Sequence, residues 1–469
     1  MNKVSVLDNF ETIAAISTPF GESGIGIVRL SGNNSINILK KIFTTNDYNK
    51  FDKIKSHTLH YGFIIDPKKH IEIDEVLISI MKAPKTYTKE DIIEINCHGG
   101  WMPLRKTLEL VLKNGARLAT PGEFTKRAFL NGRIDITQAE AVLEIIRSKN
   151  ESSLHNSIKR IKGDLKYLIC ELREKLINIH ALVEKEICFN DAEEETNTFL
   201  IQKKMNKFKN ELGDILNDSW KQSKIINGMK ILIIGKANVG KSSLLNCLCN
   251  DESSIISDTP GTTRDIVKEE IIINGYYFTV CDSAGIKTPE NNVERLCIKK
   301  TFKYINKSDI ILYLIDADRG IDKRDQLILK NIDNKNILYV INKCDLERCL
   351  SDCYKTFINF SNLKSKEWIE ISSKTGEGIN NLKNKLLNIQ KSNENSIREA
   401  IMLNERQYCL LKEVNSAIDS AINLIKDKFG LEFISEKIKE GLTNLDLITG
   451  NNITEDSINT IFENFCIGK

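Results

Sequence analysis

The chain is short of the features that announce a compartment or a charge-driven partner. Only 7 of its 469 residues are proline and 3 are tryptophan. No apolar run approaches the ~20 residues that a membrane-spanning helix needs, so no membrane association is expected. The opening MNKVSVLDNF has neither an apolar core nor an arginine-rich amphipathic pattern, which argues against a targeting segment. None of its 12 cysteines forms a C-x-x-C pair, and together with that opening they read as reduced thiols of a cytoplasmic protein. Charge is balanced as well: 67 Lys and Arg stand against 64 Asp and Glu, for a net charge of +3. Interspersed charges at that balance make no basic field able to hold nucleic acid alone. Any RNA contact is therefore local or shared with a partner. No internal repeat or long low-complexity segment is present.

What is present is concentrated in five stretches, in order: GKANVGKS (Gly235–Ser242), DTPGTTRD (Asp258–Asp265), DSAG (Asp282–Gly285), NKCD (Asn342–Asp345) and SSKTG (Ser372–Gly376). One such match is weak, but five at the spacing of a guanine-nucleotide switch are hard to explain otherwise. The first follows the apolar run MKILIIG and precedes the helical SSLLNCLC, as a phosphate-binding loop requires. Amides of Asn238, Val239 and Gly240 and the following helix N-terminus would cradle phosphates. Lys241 would reach the β- and γ-phosphates of GTP, Ser242 would ligate Mg²⁺, and Ser243 continues the binding segment.

The Asp345 carboxylate can accept both the ring N–H and the exocyclic amine of guanine, a pair that adenine does not offer. Asn342 and Lys343 belong to the same element, and Ser372, Ser373 and Lys374 would line the base pocket. Asp282 would hold Mg²⁺ through water, and Ser283, Ala284 and Gly285 would sense the γ-phosphate, with the Gly285 amide bound to it. Thr263 is a second candidate Mg²⁺ ligand, and Arg264 brings positive charge. Ile286 stands where many switch GTPases place a water-orienting glutamine, so another group must do that work.

About three domains fit this length. Strand-like runs (TIAAIST, GIGIVRLSG, EVLISIMKA, IIEINCHGG) mixed with the helical WMPLRKTLELVLKNG predict an α+β domain over 1–120. Apolar residues at three and four spacing predict helices over 121–223 and again over 392–469. The GTPase, 224–391, is thus inserted in a helical domain. The expected fold class is multidomain α/β plus α.

Outside the GTPase, the segments STPFGESGIGIVRLSG (Ser17–Gly32), APKTYTKEDIIEINCHGG (Ala83–Gly100), RLATPGEFTKRAFLNGRIDITQAEAV (Arg117–Val142) and CIGK (Cys466–Lys469) resemble the MnmE (TrmE) family of tRNA modification GTPases. The resemblance covers the whole chain. It implies an N-terminal tetrahydrofolate-binding and dimerisation domain, a helical domain and an inserted Ras-like GTPase. It also implies a homodimer that joins MnmG, an FAD- and NADH-dependent partner, in a heterotetramer. Together these install an aminomethyl or carboxymethylaminomethyl group at carbon 5 of the wobble uridine, position 34, of certain tRNAs.

The one-carbon unit in that family comes from 5,10-methylenetetrahydrofolate, with 5-formyltetrahydrofolate as a bound analogue. The folate contacts carried over are Arg29, Glu94, Arg133 and Lys469. Taken singly, Glu94 and Arg133 would more often be surface ion-pair members, and only the family motif reverses that reading. Cys466 carries over as a catalytic thiol, its bland alternative being a small buried hydrophobe in a final helix. Hydrolysis is implied to depend on K⁺, held by Asn238 and by Ser257, Thr259 and Thr262 of the switch loop. Glu294 in NVERLCI matches the water-orienting acid that replaces the missing glutamine. Two departures are Ala237, where the family usually has proline, and Lys287, where arginine is common. Two other classes stay open: a ribosome-assembly or membrane-associated GTPase switch, and a folate-binding metabolic enzyme regulated by GTP.

Overall fold

The computed structural model describes residues 11–45, 55–148, 150–188, 194–226, 228–236, 238–249, 268–274, 276–282, 305, 308–318, 336–346, 368–394 and 401–469. The chain clusters into two compact units. One comprises Met1–Arg147, Ser157–Lys209 and Cys409–Lys469, and the other Ser148–Asn156 and Asn210–Tyr408. The first is therefore discontinuous in sequence, interrupted by the second.

The first unit begins with β1 (Ile13–Ile16), β2 (Ser23–Ser31), α1 (Ser35–Ile42), β3 (Phe43–Thr44), β4 (Thr58–Asp66), β5 (Ile71–Met81), β6 (Ile92–Gly99), α2 (Trp101–Lys113) and β7 (Arg117–Leu118). Its seven-stranded sheet has the order β3-β4-β5-β6-β2-β1-β7, antiparallel except where β7 runs parallel to β1. Alternation along β2, β5 and β6 sends Val28, Leu30, Ile78, Ile80, Ile93 and Ile95 to one face, as a period of two requires. There they meet Ile38 and Leu39 of α1 and Leu104 and Val111 of α2. The runs predicted as strands all lie in β1, β2, β5 and β6; β4 and α1 were not legible.

Helices α3 (Glu123–Leu130), α4 (Ile136–Arg147), α5 (Glu151–Lys162), α6 (Asp164–Cys188) and α7 (Glu194–Ile226) follow the sheet. The last helices of the chain are α10 (Glu405–Lys426), α11 (Leu431–Thr449) and α12 (Glu455–Glu463). Helix α6 buries Leu165, Ile169, Leu172, Leu176, Ile179 and Val183, a three-and-four stripe that packs on α11. Gly441 allows the close approach, because a Cβ there would lie 3.3 Å from Leu176 Cδ2. An Arg173 Nε to Asp446 Oδ1 contact of 2.7 Å joins the same helices.

The second unit is built on β8 (Met229–Gly235), α8 (Lys241–Cys249), β9 (Lys268–Ile273), β10 (Tyr276–Asp282), β11 (Ile310–Asp316), β12 (Asn336–Asn342), β13 (Trp368–Glu370) and α9 (Ile379–Glu394). Its sheet order is β13-β12-β11-β8-β10-β9, parallel except at the β9–β10 hairpin. All seven residues of β11, IILYLID, are buried, as expected of a parallel strand covered on both faces. Helices α8 and α9 lie against Ile231, Ile233, Leu312, Leu314 and Val340. Among the described residues no helix is long and apolar enough to cross a membrane.

Two local readings change. The sequence IEISS (Ile369–Ser373) reads as the end of a buried strand, but the strand stops at Glu370, because Ser372 and Ser373 turn their polar groups to Asp345 and Asn342 instead of a neighbouring strand. The final helix stops at Glu463, so Cys466 lies beyond it in a turn. Gly468, at φ +93°, belongs to that turn, a conformation that favours glycine.

Candidate functional sites

The first site lies where β8, β11 and β12 of the second unit end, the usual crevice of an open α/β sheet. The loop from Gly235 leads directly into α8. Gly240 sits at φ +94° and a Cβ there would approach Asn342 Nδ2 to 2.3 Å, so only glycine fits. Asn238 is also left-handed, at φ +68°, a conformation asparagine tolerates better than most residues. The Lys241 ammonium donates to the carbonyls of Gly235 and Lys236 at 2.8 and 2.6 Å. Those bonds hold its side chain back along the loop. Ser242 and Ser243 are exposed on the first turn of α8, the positive end of that helix's dipole.

Asn342 is 2 % exposed and bonded at both ends of its amide. Its Nδ2 donates to Val239 O at 2.7 Å, and its Oδ1 accepts from the amide and the hydroxyl of Ser373 at 2.9 and 3.0 Å. It therefore ties the phosphate-loop side of the crevice to the SSKTG loop. Lys343, at φ +69°, places Nζ 2.6 Å from Asp316 Oδ2. Asp345 accepts from Ser372 Oγ at 2.8 Å, which orients its carboxylate, and the same Oγ accepts from the Thr375 amide at 3.1 Å. Sequence reasoning missed Asp316. Its only signal was an acid closing the apolar run IILYLID.

The structure thus brings together Asn238, Val239, Gly240, Lys241, Ser242, Asn342, Lys343, Asp345, Ser372 and Ser373, with Lys374 in the same loop. Asp282 closes β10, next to β8 in the sheet. Ser257, Thr259, Thr262, Thr263, Arg264, Ser283, Ala284, Gly285 and Glu294 lie outside the described residues. Among those that are described, no group of three or more His, Cys, Asp or Glu side chains is arranged to hold a metal ion. The Mg²⁺ expectation does not need one, since hydroxyl and phosphate oxygens suit that ion.

The second site lies in the first unit. Arg29 on β2 faces Glu94 on β6 in register. Its Nε and Nη2 contact Glu94 Oε1 at 2.8 and 2.7 Å, and its Nη1 donates to Gly468 O at 3.1 Å. Ser17 Oγ donates to the same carbonyl at 3.0 Å. A Cβ on Gly468 would lie 2.5 Å from Ile16 O, so the CIGK turn can approach β1 closely only with glycine at that position.

Arg29, Met81, Tyr87, Ile92, Glu94, Val142 and Lys469 line a cavity of about 180 Å³. Burial pushes the Tyr87 phenol above its ordinary value, which keeps it protonated, and its hydroxyl meets Thr125 Oγ1 at 3.0 Å. Three expected folate contacts, Arg29, Glu94 and Lys469, share this cavity. Arg133 does not line it but stands behind its wall, with its guanidinium 4.6 Å from the Tyr87 ring and donating to Tyr87 O at 3.1 Å.

Cys466 is exposed and is not among the cavity-lining residues, so the buried-hydrophobe reading is corrected: its helix has already ended. Cys97, within IIEINCHGG, behaves oppositely. Burial pushes its thiol up to about 12, and it packs in the sheet core.

Behind the cavity wall, Arg127 is 1 % exposed and bonded to Glu90 and Glu123. Glu123 also accepts from Arg117 at 2.7 Å and from the Thr120 amide at 2.9 Å. Burial opposes its ionisation, but the bonds from Arg117, Thr120 and Arg127 outweigh that and lower it to about 2.

Comparison with known proteins bears on both sites. Residues 12–133 match the family described as GTP-binding protein TrmE N-terminus, and residues 136–466 match the MnmE helical domain. The protein named tRNA modification GTPase MnmE of Acetivibrio thermocellus is 42% identical over 465 residues, covering 98% of this chain and 99% of its own. Those of the same name from Carboxydothermus hydrogenoformans and Thermoanaerobacter pseudethanolicus are 41% and 42% identical, each over 98% of this chain, and the match covers 99% and 100% of theirs. With both terminal segments and the inserted unit inside one continuous match, the chain belongs to the MnmE family of tRNA modification GTPases.

Proposed function

We propose that this protein is a GTP hydrolase whose cycle serves modification of tRNA at carbon 5 of the wobble uridine. The observation that carries this reading is the end-to-end match to proteins named tRNA modification GTPase, and the arrangement of the phosphate loop with Asn342, Asp345 and Ser373 around one crevice supports it. In that crevice Asp345 pairs with the guanine edge, Lys241 exchanges its two loop carbonyls for phosphate oxygens, and the α8 N-terminus faces negative charge. Ser242 and Thr263 would be the protein ligands for Mg²⁺, which would neutralise charge on the phosphates. K⁺ would be held by Asn238 with Ser257, Thr259 and Thr262, supplying the charge that an arginine finger gives elsewhere. Glu294 orients the attacking water, and Arg264 adds positive charge nearby.

The second site is read as the folate site. Its donor set suits a pterin: a carboxylate for the aminopyrimidine edge, two cations for carboxylates or a formyl oxygen, and an aromatic wall. The cavity is smaller than the ~300–1,000 Å³ of a full ligand site, so it takes one ring system. Tetrahydrofolate, when bound, supplies the one-carbon unit. Cys466 is exposed beside the Gly468 turn, which supports reading it as a thiol available to chemistry outside that cavity.

Homodimer formation finds support in an exposed sheet face. Tyr61 and Leu77 pair across β4 and β5 and remain 54% and 48% exposed, beside Leu59 at 66%, an apolar patch of the kind a second copy covers. The heterotetramer with MnmG and a cytoplasmic location complete the reading. Mass spectrometry of nucleosides from total tRNA, in cells lacking this protein and in cells with it restored, tests the whole proposal. Loss and recovery of carbon-5 aminomethyl-type wobble uridines is the expected result. Unchanged nucleosides would overturn it in favour of a GTPase that acts only as a binding switch.

A further inference from the structure

Ser373 is held through all of its polar groups. Its amide and hydroxyl both donate to Asn342 Oδ1, and its carbonyl accepts from the Cys247 thiol at 2.9 Å. The residue is only 9% exposed, so its carbonyl would lose hydration without a partner. The two tethers come from different elements. Asn342 closes β12, whereas Cys247 lies on α8, six residues beyond Lys241.

Cys247 also packs against the core formed by α8, α9 and the sheet. Packing alone would be served by any small apolar side chain; the bond to Ser373 requires a donor. By contrast the Cys344 thiol, inside NKCD, donates within its own segment, to Ile341 O at 3.3 Å. Of these two thiols only Cys247 spans the site, joining residues 126 positions apart.

We infer that Cys247 is a positioning residue for the guanine base, fixing the loop that lines the base to the helix that carries the phosphate-binding lysine. The inference rests on the nucleotide-site reading above. A nucleotide leaves when the two halves of its site separate, and the Cys247–Ser373 bond opposes the opening of Ser372–Lys374 away from α8. Loss of the bond therefore speeds release and leaves association unchanged, the usual partition of affinity between related complexes. A thiol is a weak donor, but its acceptor is buried, and the expected effect is about fivefold.

The test uses the full-length protein, a fluorescent N-methylanthraniloyl-GDP and stopped-flow measurement of its dissociation. Cys247→Ala should release nucleotide about fivefold faster than the unsubstituted protein. Cys247→Ser should restore near-original release, because its hydroxyl donates in the same direction. Release from Cys247→Ala that is unchanged or slower overturns the inference. Equal acceleration in both variants also overturns it, by reducing Cys247 to a packing volume. Should Cys247→Ala fail to fold, methylthiolation of the unsubstituted protein gives the same readout: release accelerates, recovers on reduction, and is unaffected in Cys247→Ser. No acceleration on methylthiolation sinks the idea. Failure of the unsubstituted protein to bind the probe at all would strike the nucleotide-site reading rather than the role of Cys247.

Discussion

Arg29 delivers two of its nitrogens to a single oxygen of Glu94, with Nε at 2.8 Å and Nη2 at 2.7 Å from Oε1. Its third nitrogen goes to the carbonyl of Gly468, 439 residues further along the chain. One guanidinium thus joins two strands of the sheet to the CIGK turn. The pair is 19% and 22% exposed, so most of it is shielded from water. Its value lies in aiming a carboxylate into the cavity.

That role predicts the behaviour of Glu94→Gln. Losing a charge-assisted acceptor costs a bound ligand roughly 1.5–3 kcal/mol, so affinity for 5-formyltetrahydrofolate should fall at least tenfold by equilibrium fluorescence titration. Folding stability should be less affected than ligand affinity, because the glutamine amide oxygen still accepts from Arg29. Unaltered affinity would remove Glu94 from the ligand site and leave only its ion pair.

Asp345 offers a sharper test of the base pocket. In Asp345→Asn the Ser372 hydroxyl can still bond the retained amide oxygen, but the new N–H₂ faces the exocyclic amine of guanine, donor against donor. Xanthine carries a carbonyl at that position and accepts instead. GTP affinity should drop about 100-fold or more, and xanthosine triphosphate should compete where it previously could not. Competition against a fluorescent guanine nucleotide reads both changes. Undiminished GTP binding would show that the base is recognised elsewhere.

How much of this was legible depended on whether the chemistry constrained neighbours in sequence or in space. The phosphate loop was readable because backbone amides need Gly240 and Lys241 at fixed offsets. Strand β8, MKILIIG, was readable as a short apolar run ending in glycine. Strand β4, TLHYGFIID, was not, because its outward face carries Leu59 and Tyr61 where alternation would place polar residues. The partner of Lys343 was hidden for another reason: Asp316 stands 27 residues away and only the β11–β12 register aligns them. Likewise, nothing in the sequence near Ser373 points to Cys247.

Glu123 makes the first unit acid-sensitive. Its carboxyl is lowered from 4.5 to about 2, so its contribution is present in full above the unfolded value of 4.5. That contribution is lost as pH falls through the folded value of about 2. Glu123→Gln leaves the buried Arg127 short of one anionic partner, a break that costs about 3 kcal/mol in such sites. Denaturant unfolding followed by circular dichroism should show the variant less stable at pH 7, and the gap should close between pH 4.5 and 2. A gap that does not depend on pH would assign the loss to packing.

Potassium dependence is the last test, and it turns on Ile286 and Asn238. Isoleucine can neither accept nor donate a hydrogen bond, so it cannot orient water as glutamine does. Water orientation then falls to Glu294, and the charge that an arginine finger supplies elsewhere must come from another cation; Asn238 is held in the loop at φ +68°, one residue from Val239, whose carbonyl is fixed by Asn342. An amide oxygen there suits a large, weakly hydrated monovalent cation. GTP turnover should therefore fall at least tenfold when sodium replaces potassium at equal ionic strength, a loss of about 1.4 kcal/mol of transition-state stabilisation. Asn238→Ala should abolish the difference between the two salts while leaving GDP binding within a few-fold of the unsubstituted protein. Equal turnover in both salts would sink the ion-bridged mechanism. A salt effect that survives in Asn238→Ala would move the ion to a different ligand set.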